Sequence, residues 1–310
     1  MSSLVIEKRS KKAPTAAFSV RQMLAGLELD TATDSVLRYL DFFTAFIPVK
    51  ALRILHVIPR FELFEGLQKP GSAPKSPLGM NKAVYEEVAQ RILMHPLYKQ
   101  TRVLSDLREG NPLEQLLAES EAIQADLLVI GQRTNPHEHS TLAANLLRKT
   151  KANVLLVPEG AKAGISHILV PIDFSRYSVS ALEKALAIRH ALKQPVKITC
   201  LNVFELPNLN IYLVEKMEDV RQLIRQDRMA AMQDFLHQYA ATEEIEIALV
   251  ERETESVSAR MASFAQETKA DLIVAGARGH SKVERLLLGS VSENLLRVNG
   301  QIPVLITHTL

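Results

Sequence analysis

The chain is written twice. From Met23 it reads MLAGLELDTATDSVLRYLD, and from Ile168 it reads ILVPIDFSRYSVSALEKAL, with hydrophobic, acidic and Ser/Leu positions in register at an offset of 145 residues. Three further blocks answer one another in the same order: ALRILHVIP (51–59) and KITCLNVFE (197–205), ADLLVIGQRT (125–134) and ADLIVAGARG (270–279), AANLLRKTKANVLLVP (143–158) and SENLLRVNGQIPVLIT (292–307). Four matched blocks in one order require two copies of one domain, so whatever fold is assigned must be built twice within 310 residues.

Each copy alternates short Val/Ile/Leu runs with longer amphipathic segments, the pattern of a parallel sheet covered by helices on both faces. In the second copy the runs predict strands at 167–173, 196–204, 245–252, 271–277 and 303–308, with helices near 177–193, 213–240, 255–267 and 290–298. The first copy predicts strands near 22–28, 51–58, 101–106, 126–131 and 153–158. The Pro/Gly/Ser-rich stretch 59–79 reads as a loop, and PEGAKAG (158–164) as a short linker, so the two copies are expected to pack together. The domain reading is a polar N-terminal tail at 1–17, a first domain at 18–160 and a second at 165–310.

Charge and cysteine usage narrow the function classes. Lys and Arg total 37 against 35 Asp and Glu, a formal charge of +2, so no global field points to nucleic acid. The basic cluster Lys8, Arg9, Lys11 and Lys12 falls in the tail and reads as a solvated arm. No run approaches the roughly 20 apolar residues of a membrane span, and no apolar leader follows the basic residues, which leads to the expectation of a cytoplasmic protein. The single Cys200, inside the apolar run KITCLNV, reads as a buried strand residue. The apolar positions from Leu213 through Met232 to Leu236 follow helical spacing and are expected to face the core. His137, Glu138 and His139 alternate imidazole and carboxylate, but no other cluster completes a metal site, and none is assigned.

Chemistry concentrates in GARGHSKVERLLLGS (276–290), where Gly276, Gly279 and Gly289 form G-x2-G-x9-G-S after an apolar strand and before a helix. Glycines let backbone approach an anion, and the first N–H groups of the following helix point at it. The spacing is neither that of a dinucleotide fold nor that of a P-loop. Ser290 and Ser292 offer hydroxyls beside those N–H groups, although a serine-capped helix without a ligand would use one of them as well. Arg278, His280, Lys282 and Arg285 decorate the same loop. Asp173, at the end of VPID, either accepts from a base or ribose or caps the next helix, and Pro171 sits where a strand tolerates a missing donor.

VPIDFS, LNVFE and GARGHSKVERLLLGSVSENLL together resemble the universal stress protein family, in which G-x2-G-x9-G-[ST] marks the ATP-binding members. The resemblance covers nearly all of both copies. It implies an α/β fold of two tandem doubly wound domains, each a five-stranded parallel sheet of order 3-2-1-4-5 flanked by helices, of the adenine nucleotide alpha hydrolase-like kind. Carried over by position, it implies adenine or ribose contacts at Pro171, Asp173, Val203, Gly276 and Gly279, and phosphate contacts at Gly289, Ser290, Val291 and Ser292. ATP is the implied cofactor, with Mg²⁺ left open. A regulatory ATP-binding module in the stress response is the expected function, with no catalytic residue assigned; a slow ATPase or nucleotidyl-transfer enzyme and a nucleotide-free scaffold are the alternatives. The implied partners are the adenine nucleotide and a protein the sequence does not identify, with neither nucleic acid nor membrane. The family also pairs through its fifth strand, which here brings VLLVP (154–158) to VLITH (304–308) within one chain and leaves a further homodimer open.

The first copy departs from this pattern. Glu28 stands at the position of Asp173, Gly131 at Gly276, Thr134 at Gly279, Ser140 at Gly289 and Ala143 at Ser292. Eight residues separate Gly131 from Ser140 where twelve separate Gly276 from Gly289. Its site is therefore expected to be degenerate, with the longer Glu28 pushing into the place of a base, and the first domain to be a structural or partner-binding half.

Overall fold

A computed structural model describes residues 19–58, 86–87, 89–95, 101–133, 136–207, 217–279 and 289–308, with the side chains of 136–141 and 217 left out. The expected loop at 59–79, the N-terminal tail, Thr134, Leu213 and the glycine-loop residues 280–288 fall outside these, as do the side chains of His137, His139 and Ser140. The first half contains β1 (Val20–Leu27), α1 (Thr33–Phe46), β2 (Val49–Ile58), β3 (Arg102–Glu109), α2 (Pro112–Ala122), β4 (Leu127–Gln132), α3 (Pro136–Lys149) and β5 (Asn153–Pro158). The second contains β6 (His167–Pro171), α4 (Arg176–Leu192), β7 (Lys197–Glu205), α5 (Met217–Ala240), β8 (Glu246–Arg252), α6 (Val257–Glu267), β9 (Leu272–Gly276), α7 (Ser290–Val298) and β10 (Val304–Thr307).

The strands form one ten-stranded sheet in the order β3-β2-β1-β4-β5-β10-β9-β6-β7-β8. Within each half every neighbouring pair is parallel, and the order is 3-2-1-4-5, as the resemblance implies. The halves meet through the two fifth strands, with Val304 opposite Leu156 and Ile306 opposite Val154 in an antiparallel ladder. Two apolar edges that would otherwise invite association thereby cover each other. They also turn the halves head to tail, so the carboxyl end of the second sheet lies beside the amino end of the first.

Side-chain alternation in the strands divides the interior into two layers, and each layer runs through both halves. Met23, Ala25, Ile168 and Val170 pack with α1 and α4 on one face; Leu24, Leu128, Leu169 and Ile273 pack with residues of α3, α6 and α7 on the other. Cys200 is fully buried, as its apolar setting predicts, and burial pushes its thiol up to about 12. Along α5 the stripe residues Val220, Ile224, Met229 and Leu236 are half-buried and Met232 is fully buried, so the expected face turns inward, while Leu223, off that stripe, is 65% exposed.

The backbone repeats as closely as the sequence does. Leu29 and Phe174 both adopt left-handed φ values, 56° and 64°, at the turn from first strand to first helix, and Gln124 and Lys269 do so at 51° and 54°. A left-handed non-glycine residue is uncommon, so two pairs recurring 145 positions apart mark one backbone path used twice. The ADL motif has a matching reason. Asp126 accepts from the backbone N–H groups of Arg21 and Gln22, at 2.8 and 2.9 Å, and Asp271 accepts from those of Ser166 and His167, at 2.8 and 3.0 Å. Each aspartate ties the start of its fourth strand to the start of its first.

Candidate functional site

The carboxyl ends of β6, β7 and β9 enclose a cavity of about 290 Å³ with the start of α7. This is the rim where an open α/β sheet offers a crevice, because neighbouring strands there connect to helices on opposite faces. All nine residues carried over from the family pattern border it: Pro171, Asp173, Val203, Gly276, Gly279, Gly289, Ser290, Val291 and Ser292. Ile172, Val257, Met261, Ala275 and Leu295 complete an apolar wall. A wider cleft of about 1120 Å³ lies along the seam between the halves, bordered by Arg21, Asp126, Lys149, Arg176 and His308. It contains none of the nine. Its charges are mixed, whereas the smaller cavity joins an apolar wall to a glycine-lined backbone edge, the combination a planar ring with an anionic tail requires.

The three glycines divide by purpose. A Cβ on Gly276 would stand 2.6 Å from the Tyr177 Cβ and 2.9 Å from its backbone, so this glycine exists to let α4 cross close over β9. Gly131 has the same reason in weaker form, 3.0 Å from the Ala32 Cβ. Gly276 is thus explained by packing, which removes it from the sequence argument that all three glycines imply a ligand. Gly279 differs: its Cβ would stand 2.5 Å from Asp173 Oδ2, so it clears space around a carboxylate oxygen. A Cβ on Gly289 would be 3.2 Å from the Arg278 Cα, which brings the start of α7 down onto the segment leaving β9.

Of the two roles the sequence left open for Asp173, the structure shows a structural one, bracing the turn before α4, whose cap is Ser175. Strand β6 stops at Pro171, two residues short of the predicted end, because the chain turns through the left-handed Phe174. In that turn Oδ1 of Asp173 accepts from the Ser175 N–H at 3.0 Å and from the Ser178 hydroxyl, while Ser175 itself caps α4. Oδ1 is therefore structural, and Oδ2 is the oxygen that faces Gly279.

Ser292 needs a correction of role. Its hydroxyl, expected as a phosphate donor, already donates to the Gly276 carbonyl at 2.7 Å and is buried. A hydroxyl has one proton, so Ser292 fastens α7 to β9, and its remaining contribution is its backbone N–H. Ser290 and Val291 are exposed. Gly289 caps α7 from an extended conformation with no side-chain bond to the helix, whereas Ser175 and Ser256 cap α4 and α6 with their hydroxyls. The first N–H groups of α7 thus have no side-chain acceptor from their own cap.

Arg278 stands at the cavity edge beside Tyr177, whose hydroxyl accepts from Arg176 at 3.1 Å and from Arg278 at 3.5 Å. Burial raises the Tyr177 phenol, and the two guanidinium groups outweigh that and hold it below its ordinary value. Tyr177 thereby serves twice, over Gly276 and against Arg278. Sequence reasoning also missed Asn202. Its Nδ2 donates to the Ile172 carbonyl at 2.7 Å, and it borders the cavity. The repeat held the signal, since His56 stands at the matching position and its ring Nδ1 lies 2.7 Å from the matching Leu27 carbonyl.

At the corresponding end of the first sheet the described charges pair with one another. Arg133, at the position of Arg278, pairs with Asp30 and lies 3.5 Å from Glu28. Glu28 thus lies beside an arginine. Among the described residues no group of three or more His, Cys, Asp or Glu is placed to hold a metal ion, and no helix is long and apolar enough to cross a membrane.

Comparison with known proteins agrees with the second copy in particular. The universal stress protein family model matches residues 164–308. A universal stress protein of Methanocaldococcus jannaschii is 29% identical over 141 residues, 45% of this chain and 79% of that protein. The crystal structure of a universal stress protein from Archaeoglobus fulgidus superposes with a TM-score of 0.60 at 21% identity, over 94% of this chain and 97% of that one. A Pseudomonas aeruginosa protein of unknown function superposes at 0.64 and 15% identity, over 93% and 92%. At these identities the two structures show that the fold extends over both halves. Residues 164–308 belong to the universal stress protein family.

Proposed function

We propose that the second half binds an adenine nucleotide, ATP, as a regulatory module, and that the first half is a nucleotide-free partner domain built on the same scaffold. What carries the reading is that nine residues drawn from four separate stretches of sequence border one cavity. Its volume of about 290 Å³ is at the small end of ligand pockets and suits a base with its ribose, the phosphates extending past the glycines. In this reading the base lies against Pro171, Val203 and the apolar wall. Oδ2 of Asp173 accepts from the base or ribose in the space Gly279 leaves open. The phosphates meet the N–H groups of Ser290, Val291 and Ser292, with the Ser290 hydroxyl and Arg278 beside them; the helix terminus and the guanidinium both favour negative charge. Binding needs no catalytic base, and ATP would act by changing a surface that a protein partner reads.

Isothermal titration of the full chain with ATP tests this. One ATP per chain is expected, lost in the double variant Gly279→Val/Gly289→Val while the circular dichroism spectrum is kept. Two ATP per chain would overturn the assignment to one half, and unchanged affinity in the variant would overturn the site. ATP turnover far below about 10 per second is expected, which separates a binding module from an enzyme.

A further inference from the structure

The seam between the halves has two ends related by the repeat, and polypeptide packs into one of them. There the linker from β5 to β6 is fastened by its Gly160 N–H, which donates to Ser35 Oγ at 3.0 Å, and its Ala161 and Ile165 are buried. At the other end Ser180 stands where Ser35 does, 145 positions on, and its hydroxyl donates to the His308 carbonyl at 3.3 Å, just past β10. Ser180 and His308 border the open cleft of about 1120 Å³. That volume is above the roughly 300–1,000 Å³ of small-molecule pockets. The molecule's own example of an occupant at the related end is an extended stretch of chain.

Charge decides what kind of chain fits the open end. Arg21 and Asp126 pair at 3.3 Å, and the neighbours Glu183 and Lys184 cancel in sign. Lys149, Lys151 and Arg176 are left against Glu121. All three cations are exposed, and none has a carboxylate partner among the described residues. Arg176 rests on the hydroxyl and ring of Tyr177, which leave its charge uncompensated. The fold does not demand these cations, because Val298, Gly300 and Thr31 stand at the matching positions. Arg148 near the end of α3 is matched by Arg297 near the end of α7, so the cation that suits a helix end is already supplied in both halves. Lys149 and Lys151 are additional to it.

A compact phosphate matches this cleft poorly. Helices α2 and α3 end at it, beside Glu121 and Lys149, with the partly negative ends of their dipoles, and Ser175 already caps the start of α4 with its hydroxyl. An extended peptide instead brings backbone N–H groups to the helix ends and spaced carboxylates to the three cations. The chain's own N-terminal tail, with Lys8, Arg9, Lys11 and Lys12, has the wrong sign. We infer that the seam cleft is a docking site for an extended acidic segment of a partner protein.

This gives a chemistry to the protein partner of the proposed function, and it does not depend on the nucleotide. The full chain, without ATP, is titrated at low salt with a fluorescein-labelled peptide of alternating Glu and Ser, about ten residues long, and the anisotropy is read. Binding is expected, weakened at least about tenfold in Lys149→Glu/Lys151→Glu and about threefold in Arg176→Ala. Lys162→Glu, an exposed position of the linker at the filled end, is expected to bind as the native chain does. A Lys/Ser peptide of the same length is expected not to bind. Native affinity in the double variant, or an equal loss in Lys162→Glu, would overturn the cleft as the site. Tripolyphosphate binding more tightly than the peptide, and displacing it, would make the cleft a phosphate site and overturn the peptide. A native chain that does not bind the peptide would overturn the docking site and leave the nucleotide reading intact.

Discussion

At the carboxyl end of the first sheet an arginine lies against two carboxylates; at the same place in the second sheet a cavity stands open. The difference comes from few substitutions on one backbone path. Both halves turn through a left-handed residue, Leu29 or Phe174, and both anchor a side chain from the second strand, His56 or Asn202, at a carbonyl just past or at the end of the first. In the first half the residue after the turn is Asp30, which draws Arg133 down. In the second it is Ser175, which caps α4 and donates its N–H to Asp173, so the carboxylate is held from one side and the cavity keeps the other. A scaffold that tolerates either outcome does not require the open one for folding, and this is why the open end is informative about a ligand.

The glycines allow the sharpest test of that separation. Gly276→Ala sets a methyl 2.6 Å from the Tyr177 Cβ and 2.9 Å from its backbone, which cannot rotate away; a loss of about 1–3 kcal/mol in urea unfolding is expected. Gly131→Ala meets only the Ala32 Cβ at 3.0 Å and the Val36 side chain at 3.3 Å, so a smaller loss is expected. Gly279→Ala meets the movable end of an exposed aspartate, so the unfolding midpoint is expected to stay within about 0.5 kcal/mol of native while ATP affinity falls, because Asp173 must leave its position. Stability loss in Gly279→Ala equal to that in Gly276→Ala would erase the distinction between packing and binding glycines.

The architecture was legible because its signals are periodic and doubled. Strand runs, helix spacing and the repeat together specify two parallel sheets, whereas pairing of the fifth strands was implied by the family resemblance. The site was legible as a set of positions, since G-x2-G-x9-G-S survives as a linear pattern, but not as a set of roles. Nothing in the residue types tells Gly276 from Gly279; that depends on Tyr177, 99 positions before Gly276, crossing over it. Ser292 likewise looks like a free donor until its partner, the Gly276 carbonyl, is known. Asn202 was passed over because a polar residue in an apolar strand has no local pattern to announce it. Its meaning lies in a hydrogen bond to Ile172, 30 residues away.

Histidine burial gives the halves a shared weakness in acid. His308, at the end of β10, borders the seam cleft, with its backbone N–H on the Asn153 side chain of β5 at 3.0 Å. Burial, and then the nearby Arg278 charge, lower its imidazole to about 4. The folded chain therefore resists protonation that the unfolded chain accepts near 6.5, so stability is fully present above pH 6.5 and falls as the pH drops toward 4. Allowing for partial exposure, the loss is about 1–2 kcal/mol. His167, also lowered by burial, acts in the same direction within the second half. Thermal unfolding between pH 7 and 4 is expected to be flatter for His308→Asn than for the native chain. An unchanged slope would remove the seam as a site of acid sensitivity.

The smallest expected effect bears on whether the first half is only a support. Helix α7, whose start forms the cavity rim, is held along its length from the first half: Arg148 lies 2.6 Å from Glu293, and the Gln132 side chain donates to the Leu296 carbonyl at 2.7 Å. The Arg148 pair is partly exposed and shared with Arg297, so Arg148→Ala is expected to change stability by less than about 1 kcal/mol. Its effect on ATP is the more telling quantity, because Arg148 does not border the cavity and reaches the site only through α7. If the first half sets the position of this helix, ATP affinity falls by about two- to threefold with little change in stability, and ATP in turn strengthens the contact between halves by the same factor. If affinity in Arg148→Ala is native, the site depends on the second half alone, and the first half has no role in binding through this helix.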